Sequence, residues 1–195
     1  MLFRSIVCSR VSKRGIFEFI SSGIRPNDSL IAFMLDDNYS FGILQSEIHW
    51  EWWKAKCSTL KGDYRYTIDP VWDTFPWPQN PTQKQIEIVA KASKALRDAR
   101  NKAMKDFNYS LRDLYRTMEQ PGKNPIKDLH TELDKAVMDA YGFDEKKDLL
   151  TQLLELNLAV AEKEKKGKPV QSPGLPDFVK DKTKFVSEDC VRFVE

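Results

Sequence analysis

The chain has 195 residues, 41% of them hydrophobic and 31% charged, which describes one large or two small globular domains with a well-wetted surface. A net charge of +2 sets up no global field that would gather nucleic acid, so any basic surface serving that purpose must be local. Cys8, Cys57 and Cys190 are odd in number and unpaired in spacing, and His49 and His130 have no helical ligand spacing; this predicts free thiols in a reducing cytoplasm and no metal site.

No run approaches the roughly 20 apolar residues of a membrane helix, so no membrane partner is expected. Met1 to Arg10 is too short and too interrupted for a signal peptide, and it opens inside a strand-like run, as a piece of a longer protein would. Ser5 to Cys8 and Ile16 to Ile20 are rich in β-branched and aromatic residues and predict two short strands joined by a basic connection. Pro26-Asn27-Asp28 is a turn. Leu30 to Leu35 is a third strand; its unbroken apolar run predicts a central position, covered on both faces. Ser40 to Cys57 changes period. Phe41, Leu44, Ile48, Trp52 and Ala55 form one helical stripe, widened by Ile43, Trp50 and Trp53, which predicts one helix buried on two sides.

From Lys61 to Pro78 the chain packs rings, Arg65 and three prolines into an expected extended seam between layers. Thr82 with Gln85 is a capping box, opening a helix to about Met104 with Ile86, Val89, Ala90 and Leu96 inward and Lys91, Lys94, Arg97 and Arg100 mostly outward. Ser110 to Met118 is a short helix. Asn124 caps a further helix with Pro125 at its first position, Leu129, Leu133, Ala136, Val137 and Ala140 inward, and Gly142 at its end. Asp144 is expected to cap the last long helix, which carries Leu149, Leu150, Leu153, Leu154 and Leu158 and runs out in a charged stretch from Glu162 to Lys168. Pro169, Pro173, Gly174 and Pro176 make an extended tail, which Phe185, Val186, Val191 and Phe193 predict to dock back. The fold class is therefore α+β: a partial small β region with a Trp-rich helix over residues 1–80, an α-helical bundle over 81–167, and a docking tail over 168–195.

No catalytic set emerges. The eight glycines are scattered and form no phosphate loop, no nucleophile stands beside a base, and the acids sit at salt-bridge spacing on helix surfaces. Two basic clusters remain as candidate DNA contacts: Arg10, Ser12, Lys13 and Arg14, and Lys61, Tyr64, Arg65 and Tyr66. Lys and Ser would hold phosphates while Arg reads a guanine edge. Composition alone favours the plainer reading, a basic hairpin tip and an Arg stacked on Trp and Tyr within the seam.

The strings Leu35-Asp36-Asp37-Asn38-Tyr39-Ser40-Phe41-Gly42, Gly62-Asp63-Tyr64-Arg65-Tyr66-Thr67 and Asp73-Thr74-Phe75-Pro76-Trp77-Pro78, with Ser9-Arg10-Val11-Ser12-Lys13 upstream and Leu133-Asp134-Lys135-Ala136-Val137 downstream, occur in order. This series resembles the C-terminal part of the MmeI-like, type IIL restriction–modification class of adenine-specific DNA methyltransferases. The resemblance runs to about Pro176 and implies the second half of a target recognition domain followed by a helical region. It implies double-stranded DNA and an upstream methyltransferase domain as partners, with S-adenosylmethionine bound on that domain. Asn80-Pro81 and Asn124-Pro125 lack the second proline of that family's Asn-Pro-Pro-aromatic motif, so methyl transfer is not expected from these residues alone. The alternative is a helical interaction scaffold that docks a separate catalytic subunit without touching DNA.

Overall fold

A computed structural model describes residues 5–20 and 23–191. Strand β1 (Ser5–Ser9) is the middle of an antiparallel sheet, between β3 (Phe17–Ile20) and β4 (Leu30–Phe33). Ile6 and Cys8 turn into the core. The expectation that the Leu30 strand is central is wrong: β4 pairs only with β1, and Ala32 lies exposed. The strand buried at four of its five residues is β1.

The chain leaves this sheet at Arg10. Its backbone N–H donates to Ser29 O at 2.8 Å, and its own carbonyl accepts from Tyr66 N at 2.8 Å. The next residues form β2 (Val11–Ser12), which joins β5 (Ser58–Leu60) and β6 (Asp63–Arg65) in a second sheet of order β2-β6-β5.

The aromatic stretch folds as two helices rather than one, α1 (Asn38–Gln45) and α2 (Glu47–Lys56). Ser46 breaks it. Its backbone is extended, and its Oγ donates to Ile43 O at 2.7 Å while accepting from His49 N at 3.5 Å, so one hydroxyl serves the end of one helix and the start of the next. The seam is not wholly extended either: Ile68–Trp72 makes a π-helical turn closed by Asp73 N to Ile68 O at 3.0 Å.

Helix α3 (Gln83–Phe107) starts in the full capping box of Thr82 and Gln85. It lies against α1 at Gly42, where an added Cβ would stand 2.7 Å from Val89 Cγ1. It also packs on α5 (Pro125–Tyr141), capped by Asn124 and ended by left-handed Gly142. Lys91 and Lys94 are exposed, but with α1 on one side and α5 on the other the expectation that Arg97 and Arg100 point outward fails. They are 1% and 0% exposed. Arg100 Nη2 donates to Glu18 Oε2 at 2.6 Å and Phe17 O at 2.9 Å, with its guanidinium 5.8 Å from the Phe41 ring centre. Arg97 bonds Asn38 and Ser187 and stands 4.7 Å from the Phe19 ring centre.

Helix α4 (Leu111–Thr117) is short, and α6 (Leu149–Lys165) is capped by Asp148 rather than Asp144, with Thr151 N donating at 2.7 Å. In the tail, Val179 and Phe185 are buried, and Asn38 Nδ2 donates to Ser187 Oγ at 3.1 Å. Phe193 and the side chain of Val191 lie outside what is described. One cluster of buried side chains runs from Ile6 to Phe185 across residue 80. Among the described residues, no helix is long and apolar enough to cross a membrane.

Candidate nucleic-acid interface

The second sheet joins the two basic clusters that lie some fifty residues apart in sequence. Strands β5 and β6 are linked by Lys61 and Gly62, both left-handed at φ 53° and 86°, as a two-residue turn of primed type requires. Pairing sets Val11 and Ser58 opposite Arg65, and Ser12 and Thr59 opposite Tyr64. Directly paired residues share a face, and faces alternate along a strand. Tyr64 turns inward, edge-on to Trp50 at 5.2 Å, and Trp50 in turn meets Trp53 at 5.1 Å. Arg65 therefore stands on the outer face with Val11 and Ser58, and it is exposed. It is not stacked on a Trp or Tyr of the seam, as the plainer sequence reading had it; among the described residues the guanidiniums that lie over rings are those of Arg97 and Arg100.

The eight predicted contacts divide. Lys13, Lys61 and Arg65 are exposed, and Arg10 and Tyr64 are half-buried. Ser12 Oγ donates to Arg14 O at 2.7 Å and accepts from Arg14 N at 3.2 Å, which fixes the turn that presents Lys13. Arg14 is paired to Glu119 and donates to Tyr115 O at 3.3 Å, tying this turn to α4. Arg10 Nη1 donates to Asp28 O at 3.1 Å. Tyr66 is a correction. It is 0% exposed, its hydroxyl lies 3.1 Å from His49 Nε2, and burial pushes its phenol well above the usual tyrosine range. Its alternation with Arg65 sends the ring into the core.

His49 is as structural as its surroundings suggest. Nδ1 lies 2.9 Å from Leu44 O, Nε2 faces Tyr66, and burial pulls its pKa down to about 4. His130 meets the Tyr115 hydroxyl at 2.9 Å and is likewise held to about 4, first by burial and then by the charge of Arg100. Among the described residues no group of three His, Cys, Asp or Glu is gathered as a metal site. Sequence reasoning missed Lys56, Ser58 and Thr67, which with Arg10 line an open groove of about 600 Å³ beside the sheet. The only signal for them was Lys54 and Lys56 closing a Trp-rich helix, which reads as ordinary complement to the helix dipole.

Residues 7–79 match the family model described as the target recognition domain of MmeI. This segment is similar to that domain. The matched segment takes in nearly all of both sheets, both aromatic helices and the seam. Beyond it, the chain is 30% identical over 167 residues to DNA methyltransferase A of Bacillus subtilis (strain 168), a match covering 82% of this chain and 18% of that protein. Its fold is similar to the type IIL restriction–modification enzyme MmeI, solved in complex with DNA, with TM-score 0.71 and 25% identity over 82% of this chain and 22% of that one. The chain spans about a fifth of the length of the relatives it matches.

Proposed function

We propose that this chain is the part of a DNA N6-adenine methyltransferase of the type IIL restriction–modification group that recognises a DNA sequence and clamps the duplex. The observation that carries this reading is the outer face of the β2-β6-β5 sheet, where Arg65 stands exposed at one end and the turns bearing Lys13 and Lys61 lie together at the other. The match of residues 7–79 to a target recognition domain supports it, as do a methyltransferase relative and a relative solved with DNA. Arg65 is the base-reading side chain, because a guanidinium offers the fork that a guanine edge accepts. Lys13 and Lys61, together at the other end of the sheet, neutralise phosphates further along the backbone. Tyr64 backs the sheet against Trp50 rather than touching bases. The methyl donor S-adenosylmethionine and the pocket for a flipped adenine belong to an upstream catalytic domain, and the helices after Thr82 brace the recognition domain against it. A cytoplasmic location goes with this role.

The test is duplex binding by fluorescence anisotropy at several salt concentrations. Affinity falls with a log–log slope of about −0.9 per phosphate neutralised. Arg65→Ala relaxes preference at one base pair by about 1–3 kcal/mol and leaves binding to unrelated duplexes unchanged. The second reading, a docking scaffold, draws on the exposed Leu154 and Leu158 of α6. Negligible, salt-independent duplex binding would favour it and reject the first.

A further inference from the structure

The groove beside the sheet has features that packing does not explain. Arg10, Lys56, Ser58, Thr67 and Asp69 line it, together with Ile31. Thr67 Oγ1 and Arg10 Nε are screened from solvent and make no hydrogen bond among the described residues. Thr67 occupies the position before the π-helical turn where a hydroxyl ordinarily caps, yet its side chain makes no capping bond. Lys56 Nζ lies 4.7 Å from the Trp52 ring centre, and neither it nor Arg10 is ion-paired among the described residues. Two cations thus face one carboxylate, that of Asp69. A screened hydroxyl without a partner costs stability, and next to two cations it is suited to an anion. Ser58 ties the groove to the interface, since it is the cross-strand neighbour of Arg65.

We propose that this groove is a phosphate site, with Arg10 and Lys56 supplying charge and the Thr67 and Ser58 hydroxyls donating hydrogen bonds. Its source rests on the duplex reading above: a backbone phosphodiester flanking the base pair that Arg65 faces. The site fixes the register of the duplex and carries no sequence preference of its own.

The test uses the full chain, Thr67→Val and Lys56→Gln, with anisotropy on cognate and unrelated duplexes and amide NMR during titration with inorganic phosphate. Valine keeps the shape of threonine and removes the unpartnered hydroxyl. Thr67→Val therefore melts at the same or a higher temperature, yet binds every duplex roughly tenfold more weakly through loss of a bond to a charged group. Lys56→Gln lowers the salt slope by about 0.9, equally for all sequences. In the unaltered chain the Ser58 and Thr67 amides shift with inorganic phosphate, and Thr67→Val abolishes the shift. Unchanged duplex affinity and salt slope in both variants overturns the groove as a phosphate site and leaves the recognition role standing. Phosphate-dependent shifts without duplex binding keep the site, assign it to free phosphate, and remove the recognition role. Neither shifts nor duplex binding overturns both.

Discussion

Arg100 illustrates why the residue scale resists reading from sequence. It stands on α3 at the same helical spacing as Lys94 and Arg97, and a surface arginine would carry the same pattern. In the structure its fork reaches Glu18, the Phe17 carbonyl and Gln45 under the first sheet. Replacing it with Met leaves those acceptors without a donor. Glu18 is 37% exposed and rehydrates in part, so the expected loss is about 2 kcal/mol rather than the larger cost of stranding a fully buried charge, measured as a lower urea midpoint. Buried titrating groups give a second prediction. Burial raises Asp37 and Asp134 from 3.8 to about 6, and lowers His49 and His130 from 6.5 to about 4. A raised carboxyl holds its proton in the fold when the unfolded chain has lost it, so its contribution falls as pH rises from about 4 to 6. A lowered imidazole is neutral in the fold while the unfolded chain is charged, so its contribution rises with pH over about 4 to 6.5. Two of each oppose, and stability stays nearly flat between pH 4 and 6. Asp37→Asn keeps an acceptor for Ser40 N and removes one carboxyl. It gains about 2–3 kcal/mol at pH 7 and gives that gain back on acidification to pH 4, as denaturant unfolding at the two pH values would show.

At the scale of elements, two glycines make opposite demands. Gly42 sits where α1 meets α3, and an added Cβ would crowd Val89 at 2.7 Å and Leu133 at 3.3 Å. Gly42→Ala overpacks a sealed contact and costs about 1–3 kcal/mol, seen as a lower melting temperature. Gly62 has open space around it and a φ of 86°. Gly62→Val strains only the turn, so it frays β5 and β6, weakens duplex binding, and leaves the melting temperature within a few degrees of the parent. Local signals were the legible part of the fold. The capping box at Thr82, Pro125 at the start of α5 and Gly142 at its end each act within one helical turn, and each holds. Strand order was not legible, because placing β1 between β3 and β4 depends on pairings up to 27 residues apart in sequence, such as Ile6 with Phe33. The break at Ser46 hid inside an unbroken aromatic stripe. The Lys61-Gly62 turn lacks the Asn-Gly or Asp-Gly signature of its type, so the sequence named both basic clusters without revealing that one sheet unites them.

For the whole molecule, the question is whether the segment before residue 80 stands without the helices that follow it. Ile86, Val89 and Leu96 of α3 and Leu133 and Val137 of α5 share one buried cluster with Phe41, Ile43 and Leu44 of α1. The seam is bonded from the far side as well: Tyr141 Oη donates to Pro76 O at 2.9 Å, and Asn157 Nδ2 donates to Thr74 O at 2.7 Å. Arg100 reaches back to β3, and Arg14 reaches forward to Glu119. A cluster shared this way loses apolar burial on both sides when either part opens, so the two parts unfold together. The five tryptophans, Trp50, Trp52, Trp53, Trp72 and Trp77, all precede residue 80, whereas most of the helix follows it. Tryptophan fluorescence thus reports the segment before residue 80 and far-UV circular dichroism mainly the helices after it, and thermal unfolding should give one midpoint by both. A polypeptide ending before Thr82 would expose Phe41, Ile43 and Leu44 and leave Glu18 without Arg100, and it should show neither a cooperative transition nor dispersed amide resonances. Two separate midpoints, or a folded truncation, would mean that the hairpin carrying Arg65 is aimed by its own sheets alone; a single midpoint means that the helices aim it.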